Sequence, residues 1–140
     1  TDFFAEMEQI RVEGGARFGF GDVRQSVVPQ FAILAPAHDG GTIAARYFMP
    51  WTTHPTMAVT GAQCLASCAL TPGTVADGMV TYPDSSPAQV VLEHASGEIE
   101  VLVDFDLTDG AFTLNSAGLV RTARKLAEGK VFVPRSVWSN

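Results

Sequence analysis

The hydrophobic positions at the start of the chain have the period of a helix. Together with Arg11 they recur three and four residues apart: Phe3, Phe4, Met7 and Ile10. This spacing predicts a one-sided helix that is capped at Thr1 or Asp2 and ends at Gly14-Gly15. FGFGD at residues 18–22 then predicts a tight turn. Its lone G-x-G is weak evidence for a phosphate site, because no strand precedes it.

Most other hydrophobic positions alternate with polar ones, as they do in strands. In the clearest case, Ile99, Val101, Val103 and Phe105 share one face of residues 98–105. About seven strands are predicted in this way: residues 27–34 with an interruption at Pro29, and residues 42–49, 89–94, 98–105, 111–114, 119–126 and 131–133. Turns at residues 37–41, 95–97 and 108–110 separate several of them.

One stretch, HPTMAVTGAQCLASCALTPGTVA at residues 54–76, contains a run without any charge, residues 62–70. This run predicts a helix that is apolar on all sides and is therefore covered on all sides. With one such helix and many strands, the economical fold is α+β. A curved, mostly antiparallel, barrel-like sheet would be wrapped around one buried central helix. Cys64 and Cys68 lie in this helix and are predicted to be buried thiols.

Composition narrows the classes of protein to consider. The chain has 140 residues, of which 46% are apolar and 17% charged, as expected for one ordered domain. The net charge is −6, which argues against a nucleic-acid or membrane partner. No run is long enough to span a bilayer and no signal peptide is recognisable, so we expect a cytoplasmic protein. The two cysteines lack histidine partners at ligand spacing, and we expect no metal.

The Thr60-Gly61 step comes directly before the apolar helix. The first N–H groups of a helix lack acceptors and carry partial positive charge, so they suit a carboxylate or phosphate. We expect these groups near Gly61, Ala62 and Gln63, with the Thr60 hydroxyl beside them and His54 as a candidate ligand contact. The alternative is that Thr60 is only the N-cap of its own helix and that His54 only packs.

Four longer stretches together resemble one known family: residues 19–37, 40–76, 92–103 and 117–134. The most specific parts are VTGA followed by PGTVA, and the ending RTARKLAEGKVFVP. They are similar to the second half of the PrpF-type isomerases, which have the diaminopimelate epimerase-like fold. Within that family they most resemble the 4-oxalomesaconate tautomerases of aromatic compound degradation. The resemblance covers nearly the whole chain, in order.

The resemblance implies that residues 1–140 are a single lobe, the C-terminal half of a two-lobe isomerase. The implied reaction is a cofactor-independent 1,3-allylic proton shift on a small unsaturated polycarboxylate such as 4-oxalomesaconate or 2-methylaconitate. Thr60, Gly61, Ala62 and His54 would bind substrate. The lysine and cysteine that transfer protons in relatives lie in the other lobe. Ala58 stands where epimerases of this fold have a cysteine. Since alanine cannot accept a proton, a mechanism with a pair of cysteines is not supported, and the catalytic residues are unknown.

Two expectations about partners follow from the resemblance. The lobe would work with the missing N-terminal lobe or with a second copy of itself, and alone it would be catalytically incomplete. The alternative is a stand-alone, non-catalytic module that binds small polycarboxylates and self-associates. Since the sequence starts at Thr1 without a methionine, we expect a segment of something longer or a processed product.

Overall fold

The computed structural model describes residues 2–138 and contains two helices and six strands within them. The helices are α1 (Asp2–Arg17) and α2 (Val59–Leu70). The strands are β1 (Phe31–Ala35), β2 (Ile43–Met49), β3 (Thr52–Thr53), β4 (Ala88–His94), β5 (Gly97–Thr108) and β6 (Ala111–Leu119). The predicted cap at Thr1 lies outside the described residues. Neither helix is long and apolar enough to span a membrane.

The strands form one curled, half-barrel sheet in the order β1-β2-β4-β5-β6, with β3 paired to β2. All neighbours are antiparallel except β2 and β4, which are parallel and separated in sequence by α2. The predicted hairpin of residues 89–94 and 98–105 is confirmed as β4 and β5. The predicted α+β fold with a mostly antiparallel, curved sheet around a central helix is therefore confirmed.

The hydrophobic core lies between α2 and the concave face of the sheet. Ala62, Ala66 and Ala69 are fully buried on α2. They belong to one cluster with the inward-facing residues of the central strands: Ile43, Ala45, Val90, Leu92, Val101, Val103 and Phe105. Alanine is small, so the helix lies close to the sheet, and the larger strand side chains fill the space between them.

The prediction that α2 is covered on all sides is wrong in detail. Thr60 and Cys64, one turn apart, are exposed, and Cys68 is half-buried, so the two thiols are not both buried as predicted. The reason is geometric, because a half-barrel covers only the helix face that is turned toward it. An apolar sequence indicates that a helix can be covered all round, but not what covers it.

Helix α1 does not end at Gly14-Gly15, as the sequence predicted, but continues to Arg17. Gly15 is buried against Val23, and a Cβ atom there would come within 2.6 Å of that side chain. The glycine therefore allows close packing of the following loop instead of ending the helix. The chain reverses at Gly19, whose φ is +78°.

Two further predictions were wrong at the chain's strand boundaries. Residues 27–28 are outside any strand, and β1 starts at Phe31. Past residue 110 the three predicted strands are replaced by one, β6, and residues 120–138 form no strand. Their valines and phenylalanine have strand-like preferences, but no neighbouring strand in residues 2–138 accepts their backbone hydrogen bonds beyond Val120.

Candidate functional site

The start of α2 is an uncapped helix end. Its N-cap residue is Ala58, whose backbone is extended and whose side chain makes no cap hydrogen bond. The hypothesis that Thr60 is the N-cap is therefore wrong. The Ala62 N–H donates to the Ala58 carbonyl over 2.8 Å. The N–H groups of Val59, Thr60 and Gly61 have no acceptor among residues 2–138, so the expectation of a free N–H is confirmed for Gly61 and wrong for Ala62.

Gly61 has a packing role that the sequence did not reveal. It is buried against the ring of Tyr47, and a Cβ atom there would lie 2.5 Å from two ring carbons. The Tyr47 hydroxyl donates to Gln30 Oε1 over 2.6 Å, and burial raises the pKa of Tyr47. The α-carbon of Gly61 therefore faces the protein, while Thr60 beside it is exposed.

His54 lies in the loop that leads to α2 and is half-buried. Its backbone N–H donates to the Tyr47 carbonyl over 2.8 Å, and its ring stands edge-on to the Tyr47 ring at 6.0 Å between centroids. Its Nδ1 accepts the Thr56 N–H over 3.1 Å. A neutral His54 in this arrangement carries its proton on Nε2, the nitrogen that is left for a ligand.

Two side chains near His54 were given no role by the sequence. The sequence assigns no role to His94. For Arg46, strand alternation predicts only that the side chain faces solvent, and Arg46 is exposed. In the fold, burial lowers the pKa of His94, and the positive charges of Arg46 and His54 lower it further. The parallel pairing of β2 with β4 brings these residues together, and no local sequence pattern predicts that pairing.

The turn between β4 and β5 is tied to the loop before α2. The Ser96 hydroxyl donates to the Pro55 carbonyl over 2.5 Å, and the Ser96 N–H donates to His94 Nδ1 over 3.3 Å. A cavity of about 240 Å³ lies here, between the turn and the residues that precede the helix, with Thr56, Met57 and Arg121 among its lining residues. Its lining is mixed, since Met57 and Ile99 are apolar and Glu98 and Arg121 carry opposite charges.

A second group of converging N–H groups is already occupied. In the Glu93 loop, residues 37–41, the N–H groups of His38, Asp39 and Gly41 all donate to the buried Glu93 carboxylate, over 2.7–2.8 Å. The His38 N–H contributes most to lowering the pKa of this carboxyl, and burial opposes it. These three N–H groups are therefore not free to bind an external anion.

The described residues contain no candidate metal site. Within residues 2–138, no three side chains of histidine, cysteine, aspartate or glutamate come close enough together to hold a metal ion. The exposed start of α2, with Thr60 and the nearby His54, remains the candidate site. The site assignments of Thr60, Gly61, Ala62 and His54 stay predictions. The structure shows Thr60 exposed, and Gly61 and Ala62 buried.

Comparisons with known proteins give this chain a family context. The family model described as "PrpF protein" matches residues 1–134. The chain is 37% identical over 129 residues to the (4E)-oxalomesaconate Delta-isomerase of Novosphingobium sp. (strain KA1), covering 92% of the chain and 35% of that protein. It is 36% identical over 132 residues to the 4-oxalomesaconate tautomerase of Pseudomonas putida, covering 94% of the chain and 36% of that protein.

A solved structure agrees on the fold. The crystal structure of a methylitaconate-delta-isomerase matches with a TM-score of 0.66 and 19% sequence identity. The match covers 86% of this chain and 38% of the other. The chain thus spans about a third of the length of the relatives it matches.

Proposed function

Because the chain belongs to the PrpF family, we propose that it supplies the carboxylate-binding lobe of an isomerase that acts on a small unsaturated polycarboxylate. The relatives are named for isomerising oxalomesaconate and methylitaconate, which are compounds of that class. The reaction would be a cofactor-independent 1,3-allylic proton shift. The protein would work in the cytoplasm, in the breakdown of aromatic compounds.

The observation that carries this proposal is the uncapped start of α2. The N–H groups of Val59, Thr60 and Gly61 have no acceptor in the described chain, and the exposed Thr60 hydroxyl lies beside them. A substrate carboxylate bound there would accept these hydrogen bonds and interact favourably with the positive end of the helix dipole. Ala62 would contribute by packing, since its N–H is already bonded.

The same geometry suits the charge that develops during a proton shift. Removing a proton from a carbon next to a carboxylate places negative charge on the carboxylate oxygens. Preoriented N–H groups stabilise that charge without reorganising. His54, held by Tyr47 and Thr56, would contact the substrate through Nε2. The groups that move the proton would come from a second lobe, because no residue of this chain is assigned that role.

Calorimetric titration of the 140-residue chain with citrate and with oxaloacetate tests the binding site. Thr60→Val removes the exposed hydroxyl and should weaken binding about tenfold, the cost of one lost hydrogen bond to a charged group. The matched control is Thr113→Val, an exposed threonine on β6. Absence of binding by the wild type, or equal weakening by both variants, would contradict the proposed site.

An activity assay separates the two parts of the proposal. The chain alone should not interconvert 4-oxalomesaconate and its keto tautomer, because the proton-transferring groups are expected elsewhere. If the chain alone turned over the substrate, and if Thr60→Val did not change that activity, the proposal of an incomplete lobe with its site at α2 would be ruled out. If the chain binds the acids without turnover, and if adding a complementary lobe does not restore activity, the alternative of a stand-alone polycarboxylate-binding module is favoured.

A further inference from the structure

Tyr47 contacts both parts of the candidate site. It lies on β2 and is buried, with 7% of its surface exposed. Its ring fills the space beside the α-carbon of Gly61, where an added Cβ atom would lie 2.7 Å from the Tyr47 hydroxyl oxygen. The His54 ring stands edge-on to the same ring, and the His54 N–H donates to the Tyr47 carbonyl. One residue therefore packs against the start of α2 and also holds the histidine that precedes it.

The Tyr47 ring is fixed at its outer end by Gln30. The Tyr47 hydroxyl donates to Gln30 Oε1 over 2.6 Å, which is a short hydrogen bond. Burial raises the pKa of Tyr47 and the nearby Cys64 raises it further, so the hydroxyl keeps the proton that it donates. The ring is thus held at one end by the β2 backbone and at the other by Gln30. Because it cannot tilt freely, it presents one fixed surface to Gly61 and His54.

Gln30 follows a segment that a buried arginine holds in place. The guanidinium of Arg11 on α1 is fully buried. It donates to three backbone carbonyls, those of Val23 over 2.8 Å, Ser26 over 3.1 Å and Pro29 over 3.4 Å. The backbone directly before Gln30 is therefore tied to α1. An acceptor on a tied backbone can restrain the Tyr47 hydroxyl, whereas an acceptor on a free loop would move with it.

We propose that Tyr47 is a positioning residue: held by Gln30, its ring keeps His54 and the start of α2 at the separation that a bound polycarboxylate requires. This inference rests on the proposed function, since it gives Tyr47 a part in binding at that same site. A polycarboxylate carries its charged groups at set distances, so the groups that bind them must keep matching distances. When that spacing is preset, less binding energy is lost in ordering the loop of residues 54–58.

The composition of α2 favours this role over simple filling of the core. Further along its buried face, α2 meets the sheet with alanines, namely Ala62, Ala66 and Ala69. Gly61 is the one glycine of the helix, and it lies where Tyr47 reaches the first turn. Glycine lowers helix stability relative to alanine. The helix therefore gives up a side chain only where the Tyr47 ring needs the space, at the end that carries the free N–H groups.

Calorimetric titration with citrate tests the role of the hydrogen bond between Tyr47 and Gln30. Tyr47→Phe keeps the ring and removes the donor, and Gln30→Leu removes the acceptor. Each should weaken citrate binding about fivefold to tenfold, the range expected for one hydrogen bond. Because both changes break the same bond, the double variant Tyr47→Phe/Gln30→Leu should bind no more weakly than either single variant. The matched control is Tyr82→Phe, which removes the other tyrosine hydroxyl of the chain, a donor to Asp77, and should leave citrate affinity unchanged.

Thermal unfolding of the same variants separates positioning from packing. If Tyr47→Phe lowers Tm but binds citrate as tightly as the wild type, Tyr47 only packs and the proposal is overturned. Losses of affinity that add up in the double variant would also overturn it, since Tyr47 and Gln30 would then act separately. A loss of affinity that is shared by the two single variants, and absent from Tyr82→Phe, supports positioning.

NMR spectroscopy makes the test independent of the proposed function. If the wild-type chain binds no citrate, the proposed function fails, and the resonances of the His54 ring and of the Gly61 amide decide whether Tyr47 positions these groups. Gln30→Leu leaves the Tyr47 ring unchanged chemically, so any shift of these resonances reports a change in ring orientation. We expect both resonances to shift in Gln30→Leu and to stay in place in Tyr82→Phe. Resonances that stay in place in Gln30→Leu would overturn the positioning role.

Discussion

Two regions of this chain gather three backbone N–H groups each, and they differ in what accepts them. In the Glu93 loop, the chain's own carboxylate accepts all three groups. At the start of α2 the three groups have no acceptor in the described chain, and the N-cap position holds an alanine. The Glu93 loop shows how a carboxylate fits converging N–H groups, and the start of α2 has the same chemistry without the carboxylate. We therefore expect Glu93 to contribute to stability and the start of α2 to contribute to binding.

The largest expected effect is the loss of the internal carboxylate. Glu93→Gln replaces a charged acceptor of three hydrogen bonds with an amide, whose NH₂ group faces other donors. We expect the largest fall in Tm of this series, measured by thermal unfolding. The matched control is Glu98→Gln, the residue paired with Glu93 across β4 and β5 but exposed. Equal Tm changes in the two variants would contradict a structural role for the Glu93 loop.

The same carboxylate gives a dependence on pH whose sign is fixed by its environment. The Glu93 pKa is lowered from its usual 4.5 in the folded state, so folding favours the ionised form. Its stabilising contribution is complete above pH 4.5 and is lost as the pH falls through the lower, folded pKa. The Tm difference between wild type and Glu93→Gln should therefore shrink as the pH falls below 4.5. A difference that widens would refute the sign.

The third prediction tests the packing role of Gly61. Gly61→Ala places a Cβ atom against the Tyr47 ring and should reduce the free energy of unfolding by roughly 1–3 kcal/mol, measured by urea titration. Gly118→Ala is the control, since a Cβ atom there meets nothing within 4 Å. If both variants are equally stable, the close approach of Tyr47 has no energetic consequence.

The smallest effect is the most specific test of the comparison. Ala58→Asp gives α2 a carboxylate at its N-cap, so that the helix start comes to resemble the Glu93 loop. The change should add about 1 kcal/mol of stability and at the same time abolish citrate binding. Ala58→Asn adds a cap without charge and should stabilise less and bind citrate weakly. Undiminished citrate binding by Ala58→Asp would show that the ligand site lies elsewhere.

Several features were predictable because they depend on short-range patterns. Residues 62–70 indicated the central helix, and the alternation of Ile99, Val101, Val103 and Phe105 indicated a strand with one buried face, as the fold confirms. Glycines were less predictable. The sequence predicted that Gly15 ends α1 and that Gly61 lets a ligand approach the backbone. In the structure both make room for a side chain from elsewhere, Val23 beside Gly15 and Tyr47 beside Gly61. That role depends on neighbours that are distant in sequence or lie across a turn.

The sequence by itself indicated both helices, the strands β1, β2, β4 and β5, and the family to which the chain belongs, since periodicity and motif spacing are local properties. Only the tertiary structure decided which N–H groups of the chain are satisfied. Glu93 is more than fifty residues from the loop it holds, and it arrives there through the pairing of β4 with β2. The candidate site at α2 depends on N–H groups for which residues 2–138 supply no acceptor. No local pattern encodes that, because hydrogen-bond satisfaction depends on every segment that comes near.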